Sequence, residues 1–326
     1  MTGSRYQRRV DGVDPGVVLP LTLSAVLRHL NAHAPAGVVN VVAGSGDTVG
    51  VALTTHPDVR KVSFTGSTVT GRTIMRDASI NLKNLGLELG GNDPAIVTEN
   101  AEITTDLIDE LVRGTFMTSG QVCYAPKRLY VHSSHYTQFV EAFTAAAAEL
   151  VVGDGLDPDV TMGPLNNAQQ RRIVTGLIKA SRAEGARIRQ VGSFRDIDPS
   201  QGYFVLPTIV TGLTQQSPLV RQEQFGPIIP ILAFDTDEQA VAMANDSEYG
   251  LAASVWSADS DHAFALARRI QAGSVFVNIH RVGASDVSMP FGGFKQSGLG
   301  RGHGHSAVDE SMEVQVLADR LDMHHS

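Results

Sequence analysis

The hydrophobic positions of the chain alternate between short apolar runs and longer stretches in which apolar residues recur at helical spacing. Residues 21–34 have helical spacing and are stopped by Pro35, whereas 38–42 is an almost wholly apolar run, typical of a parallel strand covered on both faces. The next predicted elements are a helix over 48–54, a strand over 59–65, a helix over 69–78 and a strand over 84–89. This alternation predicts an α/β fold with a doubly wound, mostly parallel sheet.

The alternation continues beyond Gly91 and predicts a second set of strands. These strands are predicted over 95–97, 128–132, 204–210, 228–234, 252–256 and 274–278, with helices over 101–117, 136–151 and 167–184 among them. A glycine-rich loop follows residue 290, and a last strand is predicted over 312–317. We therefore expect three parts, 1–90, 91–290 and 291–326, with the first two meeting near 90–93.

Composition narrows the class of protein. The chain has 326 residues, of which 42% are hydrophobic and 18% charged, and this is ordinary for a soluble protein with room for two domains. A net charge of −8 argues against nucleic acid or an anionic membrane as partner. No apolar run approaches the roughly 18 residues that span a bilayer. A single cysteine and no apolar signal segment at the start predict a cytoplasmic protein.

Residues 64–71 follow a predicted strand and open a helix. In that place Gly66 and Gly71 would let the backbone approach a ligand, and the helix start at Ser67 would attract phosphate. An ordinary strand–helix turn with a Ser or Thr cap explains the same residues equally well. The segment does not have the usual G-x-G-x-x-G dinucleotide pattern.

Glu88 lies at the end of an apolar strand and is followed by two glycines after Leu89. A carboxylate at the carboxyl end of a parallel strand points into the crevice where ligands bind, and partial burial there would raise its pKa toward that of a general base. The alternative is a strand-end carboxylate that faces solvent.

Cys123 is the only cysteine, so it forms no disulfide within the chain. It is either a small packing residue or a nucleophile, and a nucleophile needs a cationic or dipolar environment that the sequence does not show. The loops at 223–227 and 290–298 mix glycine with phenylalanine, as turns around a packed ring or as ligand walls. The histidines, His303 and His305 among them, lack metal-ligand spacing and are interpreted as surface or tail residues, so we predict no metal site.

Taken in order, these motifs resemble the NAD(P)-dependent aldehyde dehydrogenase superfamily. The matching segments are 64–68, 87–91, 120–123, 223–227, 245–251, 273–278 and 290–301. The resemblance covers about residue 19 to the end. It implies an aldehyde dehydrogenase-like fold with an incomplete doubly wound cofactor-binding domain over 1–90 and an α/β catalytic domain over 91–290. The remainder, 291–326, would hold a C-terminal oligomerisation strand.

The resemblance also implies a mechanism. Cys123 would attack the carbonyl of a small-molecule aldehyde to give a thiohemiacetal, which would pass hydride to the nicotinamide and become a thioester. Glu88 would activate the water that hydrolyses this thioester to a carboxylic acid. Residues at the cofactor would be Gly66, Ser67, Gly71, Leu89, Gly90, Glu223 and Phe225. NAD is the commoner cofactor of the family, NADP stays open, and a homo-oligomer, either dimer or tetramer, is expected.

The chain departs from the family pattern at its front. Family members normally begin with well over a hundred further residues, including a Trp-Asn segment that helps to bind the oxyanion and a Lys-Pro-Ser segment at the adenosine ribose. The only tryptophan here is Trp256, and Asn92 stands where a Lys often follows the Glu-Leu-Gly-Gly motif. The alternative function is therefore a non-catalytic aldehyde dehydrogenase-like remnant that acts as a subunit or binding protein.

Overall fold

The computed structural model describes residues 19–40, 42, 44–284 and 286–318. The helices are α1 Leu19–His33, α2 Val51–Thr55, α3 Thr68–Ala78, α4 Thr105–Phe116, α5 Tyr136–Ala148, α6 Ala168–Ala183, α7 Pro218–Arg221, α8 Asp237–Asn245, α9 Ser260–Ala267 and α10 Gly304–Asp309. The strands are β1 Lys61–Thr65, β2 Asn84–Glu88, β3 Asp93–Val97, β4 Pro126–His132, β5 Val151–Val152, β6 Arg187–Gln190, β7 Ser193–Phe194, β8 Thr208–Thr211, β9 Ile228–Phe234, β10 Tyr249–Gly250, β11 Ala252–Trp256, β12 Ser274–Val277, β13 Phe294–Lys295 and β14 Gly298–Leu299.

A small sheet is built from β1, β2 and β14. Strands β1 and β2 run parallel, and β14 lies antiparallel on the other side of β2. Helix α3 packs on this sheet through a cluster of four buried residues, Phe64, Ile74, Leu87 and Leu89. The C-terminal glycine-rich loop thus returns to the strand that ends at Glu88.

A seven-stranded sheet forms the main core, in the order β12-β11-β3-β4-β9-β8-β6. Its strand pairs are parallel except that β6 runs antiparallel to β8. Alternate residues of β3 face opposite layers: Ala95 and Val97 pack with α4 and α5, while Ile96 packs with α8 and α9. The near-continuous apolar sequence of β3 follows from this two-sided burial.

Most predicted elements are confirmed, and 228–234 and 252–256 agree to the residue with β9 and β11. Two predicted strands are wrong. Residues 38–40 and 42, and 312–317, form no strand in the described chain, and Val38, Val42 and Val314 are exposed. A strand needs a hydrogen-bonded neighbour, and neither run has one among the described residues. The boundaries of the three parts remain a prediction.

Candidate active site

Cys123 follows a strained turn. Helix α4 ends at Phe116, and a 3-10 turn over Met117–Gly120 then carries the left-handed residues Thr118 (φ 53°), Ser119 (φ 58°) and Gly120 (φ 71°). Such a conformation is costly for a β-branched residue and persists only where its surroundings hold it. The Ser119 hydroxyl donates to the Gly163 carbonyl at 2.7 Å. The turn is therefore held in the folded protein and directs the chain into the Cys123 loop.

The Gly90–Gly91 pair is the junction of the site. A Cβ on Gly91 would lie 2.7 Å from the carbonyl oxygen of Cys123, and a Cβ on Gly90 would lie 2.4 Å from Glu223 Oε2. The Gly91 N–H donates to Glu223 Oε1 at 3.1 Å. Only glycines leave room for these approaches. The structure thus brings the end of β2, the Cys123 loop and the Glu223 loop together.

Glu88 is the last residue of β2 and is held from both sides, by Thr65 of β1 and Gly298 of β14. Its Oε2 atom is buried and has no hydrogen-bond partner among the described residues. Burial raises the pKa of Glu88 to about 7, against the opposing effects of the Gly302 backbone N–H and the Arg301 charge. At neutral pH this carboxyl group can therefore both accept and release a proton.

The Cys123 thiol is half-buried and protonated at neutral pH. Burial raises the pKa of Cys123 to about 11, the Lys127 charge opposes this shift, and the Asp93 charge adds to it. The Lys127 Nζ atom donates to the carbonyls of Val122 at 2.7 Å and Cys123 at 3.0 Å. Lys127, four positions downstream, thus supplies a cation beside the thiol, and burial outweighs its effect on the thiol pKa.

The predicted phosphate site is a capped helix start. Ser67 is exposed and caps α3, its Oγ atom accepting from the Thr70 N–H at 3.2 Å. A Cβ on Gly66 would lie 2.4 Å from the Phe64 ring, and a Cβ on Gly71 would lie 2.6 Å from Leu89. Packing accounts for both glycines and for buried Leu89. Their contact with a cofactor remains a prediction.

A cavity of about 190 Å³ lies beside this helix start. It is enclosed by the π-helix Gly46–Gly50, α2, β1 and α3, and its walls are largely apolar, with Val51, Phe64, Val69 and Ile74 among the lining residues. A mostly apolar slot beside the start of a helix suits a flat ring. The residues present therefore fit one ring of a dinucleotide whose phosphate lies at the helix start.

Phe225, predicted to pack near the nicotinamide, lies in the Glu223 loop with a left-handed backbone (φ 44°). Its ring centroid is 5.8 Å from Lys127 Nζ. Burial raises the pKa of Glu223, although the Lys127 charge and the Gly91 N–H favour its ionised form. This loop therefore meets the Cys123 loop through Lys127.

Sequence reasoning missed three buried polar residues around Cys123: Asp93, Lys127 and His280. His280 corrects the interpretation of the histidines as surface residues, because it is fully buried; His303 and His305 are exposed as expected, and His324 and His325 lie outside the described residues. A signal for Asp93 existed, since it begins an otherwise apolar strand. A polar residue at such a position is hydrogen-bonded, paired or functional.

Hydrogen bonding fixes the tautomer of His280. The Tyr124 carbonyl can only accept, so His280 Nε2–H donates to it at 2.9 Å. The other ring nitrogen, Nδ1, then accepts from the Ser254 hydroxyl at 2.8 Å, and the Trp256 indole N–H donates to Ser254 Oγ, also at 2.8 Å. Burial lowers the pKa of His280 to about 3. A neutral imidazole therefore holds the residue that follows Cys123.

In the part of the chain that the structure describes, no three or more His, Cys, Asp or Glu side chains are grouped so that they could hold a metal ion. None of the helices described is long and apolar enough to cross a membrane.

Comparisons with known proteins show which family this chain resembles. The family model "Aldehyde dehydrogenase family" matches residues 15–317. An aldehyde dehydrogenase of Davidiella tassiana is 41% identical over 288 residues, which are 88% of this chain and 57% of that protein. Betaine aldehyde dehydrogenase of Brucella anthropi is 38% identical over 305 residues, 93% of this chain and 62% of that protein. The chain thus spans less than two thirds of the length of these relatives.

A solved structure gives the same result. A variant of betaine aldehyde dehydrogenase from Staphylococcus aureus, in complex with NAD+, superposes with a TM-score of 0.83 at 34% identity, covering 89% of this chain and 59% of that one. The small sheet, the seven-stranded sheet and the glycine-rich loop are thus an aldehyde dehydrogenase-like fold. With a matching family model and relatives this similar, the chain belongs to the aldehyde dehydrogenase family.

Proposed function

We propose that the chain carries the catalytic centre of an NAD(P)-dependent aldehyde dehydrogenase, which oxidises an aldehyde to a carboxylic acid. One observation carries the proposal: the strand end with Glu88, the loop with Cys123 and the loop with Glu223 meet at Gly90–Gly91. Glu88 lies at the carboxyl end of a parallel strand, where α/β folds bind ligands, and Cys123 lies in the loop before β4 that meets this strand end.

Cys123 would act as the nucleophile. Its thiolate sulfur would form a bond to the aldehyde carbon, and the carbonyl oxygen would take the electron pair. The thiol must first lose its proton, and the Lys127 ammonium beside the loop favours this loss. Once the bound carbon has been oxidised, Cys123 would hold it as a thioester.

Glu88 would act as the base for the second half of the reaction. With a pKa of about 7, its carboxylate takes a proton from water as the water oxygen attacks the thioester carbon. The carbon–sulfur bond then breaks, the carboxylic acid leaves, and Cys123 is restored.

Ser67 and the start of α3 would hold the cofactor phosphates, with Gly66 and Gly71 beside them, and the 190 Å³ cavity would hold a ring. Glu223 and Phe225 would hold the nicotinamide end near Leu89 and Gly90. When bound, the nicotinamide supplies the acceptor for the hydride that the aldehyde carbon loses.

A second copy of the chain is the proposed protein partner. The three side chains of Val314, Val316 and Leu317 are each at least 85% exposed, and their segment pairs with no strand among the described residues of its own chain. An extended apolar segment of this kind can add to the sheet edge of another subunit. As an oligomerisation strand, this segment would join two copies of the chain in a homo-oligomer.

Aldehyde-dependent formation of reduced cofactor tests the proposal. Purified protein with NAD+ or NADP+ and a panel of aliphatic, aromatic and charged aldehydes should reduce at least one cofactor, measured by absorbance. Cys123→Ser should abolish the reaction, and Glu88→Gln should slow steady turnover by about a hundredfold or more. A folded protein that shows no turnover with any aldehyde would instead support the non-catalytic alternative.

A further inference from the structure

Lys127 is a buried cation beneath the Cys123 loop. It is 2% exposed, and its Nζ atom donates to the carbonyls of Val122, Cys123 and Ala125 at 2.7, 3.0 and 3.4 Å. Three donors on one ammonium are thereby used on three carbonyls of a single loop. No carboxylate oxygen of a described residue lies within 4.0 Å of Lys127 Nζ, which is the distance limit for an ion pair. Lys127 thus shapes the loop and leaves its charge available to the thiol.

Asp93 is a buried acid close to the same loop. It is 1% exposed, and neither carboxyl oxygen has a hydrogen-bond partner in the described chain. Its Oδ1 atom lies 2.8 Å from the place of a Gly91 Cβ, and the Cys123 carbonyl oxygen lies 2.7 Å from that place. A buried carboxyl group without a partner is costly, so its presence beside the nucleophile needs a reason.

The neighbours of Asp93 do not neutralise it. His280 Nε2 is 4.0 Å away, but its proton is donated to the Tyr124 carbonyl. The Arg128 guanidinium donates to the carbonyls of Asn92, Met243 and Ala244 and to the Tyr130 hydroxyl. The Ala252 backbone N–H faces the carboxyl group and favours its ionised form, as the Lys127 charge does. Burial raises the pKa of Asp93 to about 8 despite the Lys127 charge.

We propose that Lys127 and Asp93 control the ionisation of Cys123 in opposite directions, the Lys127 ammonium favouring the thiolate and the Asp93 carboxylate opposing it. Both are positioning residues for the nucleophile of the proposed function, on which this inference rests. Glu223, the other carboxyl group that faces Cys123, acts in the same direction as Asp93, and Tyr124 is its neighbouring phenol. Like charges in one buried space oppose each other's formation.

The sole cysteine makes the test direct. Alkylation by iodoacetamide requires the thiolate form of a cysteine. Because Cys123 is the only cysteine, the increase in intact mass on thiol alkylation reports this residue alone. We would measure the rate against pH for the unmodified chain, for Lys127→Met, for Asp93→Asn and for the double variant. The exposed residues Lys179 and Asp109 supply the matched controls Lys179→Met and Asp109→Asn.

The two variants should move the rate in opposite directions. At a pH of about 8.5, above the pKa of about 8 of Asp93, Lys127→Met should slow alkylation about tenfold and Asp93→Asn should speed it about tenfold. The double variant should return toward the unmodified rate, and the controls should stay at it. Lys127→Arg, which keeps the charge, should lie closer to the unmodified protein than Lys127→Met.

A loosened fold gives a different result. Loss of packing would expose Cys123 and speed alkylation in every disrupted variant, and thermal unfolding would show it. If both variants accelerate, or if neither changes the rate, the inference is wrong. If Lys127→Met does not fold, the test rests on Asp93→Asn, and an unchanged rate of Cys123 alkylation in that variant overturns the inference. Because alkylation needs neither aldehyde nor cofactor, an inactive chain with oppositely shifted rates would contradict the proposed function only.

Discussion

Single residues around Cys123 hold conformations and charges that a folded protein seldom tolerates without compensation. Thr118 is a β-branched residue with a left-handed backbone, and Asp93 is a buried carboxyl group without a hydrogen bond. Both features concentrate at functional sites, because only a well-packed surrounding structure can maintain them. The strain and the buried carboxyl group therefore lie beside the proposed nucleophile.

Relief of the strain at Thr118 should stabilise the protein. Asn tolerates the left-handed region better than Thr, and the Thr118 side chain is exposed, so Thr118→Asn should raise the free energy of unfolding by about 1 kcal/mol. Denaturant unfolding measures this difference. Thr105→Asn, at an exposed position at the start of α4 with no positive φ, is the matched control and should give no gain. A loss of stability in Thr118→Asn would show that the turn is not strained.

Asp93 should make stability depend on pH. The folded protein keeps the Asp93 proton up to about pH 8, whereas the unfolded chain releases it near the ordinary value of 3.8. The folded state therefore holds more protons in this window, and its stability falls as pH rises. We therefore compare the free energy of unfolding of Asp93→Asn with that of the unmodified chain. The variant's value minus the unmodified value should increase by roughly 1–3 kcal/mol between about pH 5 and pH 8.

A difference that shrinks as pH rises would contradict the claim that Asp93 is a protonated buried acid. Glu88, whose pKa is also raised, makes stability fall as pH rises, as Asp93 does. His280, whose pKa is lowered to about 3, makes stability fall as pH drops below the ordinary histidine value of 6.5. Both groups remain in the variant, so their effects cancel in the difference. A constant difference across the pH range would mean that Asp93 is ionised in the folded state throughout.

Sequence patterns identified the motif residues but not their surroundings. Glu88, Cys123 and Glu223 could be predicted because each lies in a motif at the end of a strand or in a loop. Lys127 could not, because a lysine directly before a predicted strand and next to Arg128 resembles a solvated charge. Only the fold shows that its ammonium turns back to the carbonyls of 122–125.

At the scale of elements, the hydrophobic pattern succeeded wherever a strand has neighbours on both sides. Strands β9 and β11 were predicted to the residue because both of their faces are buried. The pattern failed at 38–42 and 312–317, because it does not show whether a second strand is present to pair. It also missed β14, whose two residues, Gly298 and Leu299, are too short for a periodic signal.

Helix α3 should be sensitive to a single methyl group. A Cβ on Gly71 would lie 2.6 and 2.8 Å from the two Leu89 methyl carbons, so Gly71→Ala should lower the free energy of unfolding by about 1–3 kcal/mol. Gly176 in α6 has nothing within 4 Å of its Cβ position, and Gly176→Ala should instead raise stability by about 0.5–1 kcal/mol. Denaturant unfolding of the two variants gives the comparison.

Equal effects at the two glycines would contradict the packing of α3 on β2. If Gly71→Ala were stabilising as well, general helix propensity would account for both results. The four-residue cluster under α3 would then not hold the helix on the small sheet.

At the scale of the whole molecule, the candidate site lies where two sheets of different size meet. The small sheet supplies Glu88 and the helix start at Ser67, and the seven-stranded sheet supports the loops of Cys123 and Glu223. The resemblance in the sequence predicted this arrangement in order along the chain. The contacts that join the two sheets at Gly90–Gly91 became visible only in three dimensions.

The most direct measurement is the mass of Glu88→Gln after incubation with NAD+ or NADP+ and an aldehyde. Without its base the protein should form the thioester on Cys123 but release it slowly, so intact-mass spectrometry should show one acyl group on Cys123 together with reduced cofactor. Cys123→Ser should show neither. Cofactor reduction by Cys123→Ser, or a well-folded Glu88→Gln that forms neither adduct nor reduced cofactor with any aldehyde that the unmodified chain oxidises, would contradict the roles assigned to these two residues.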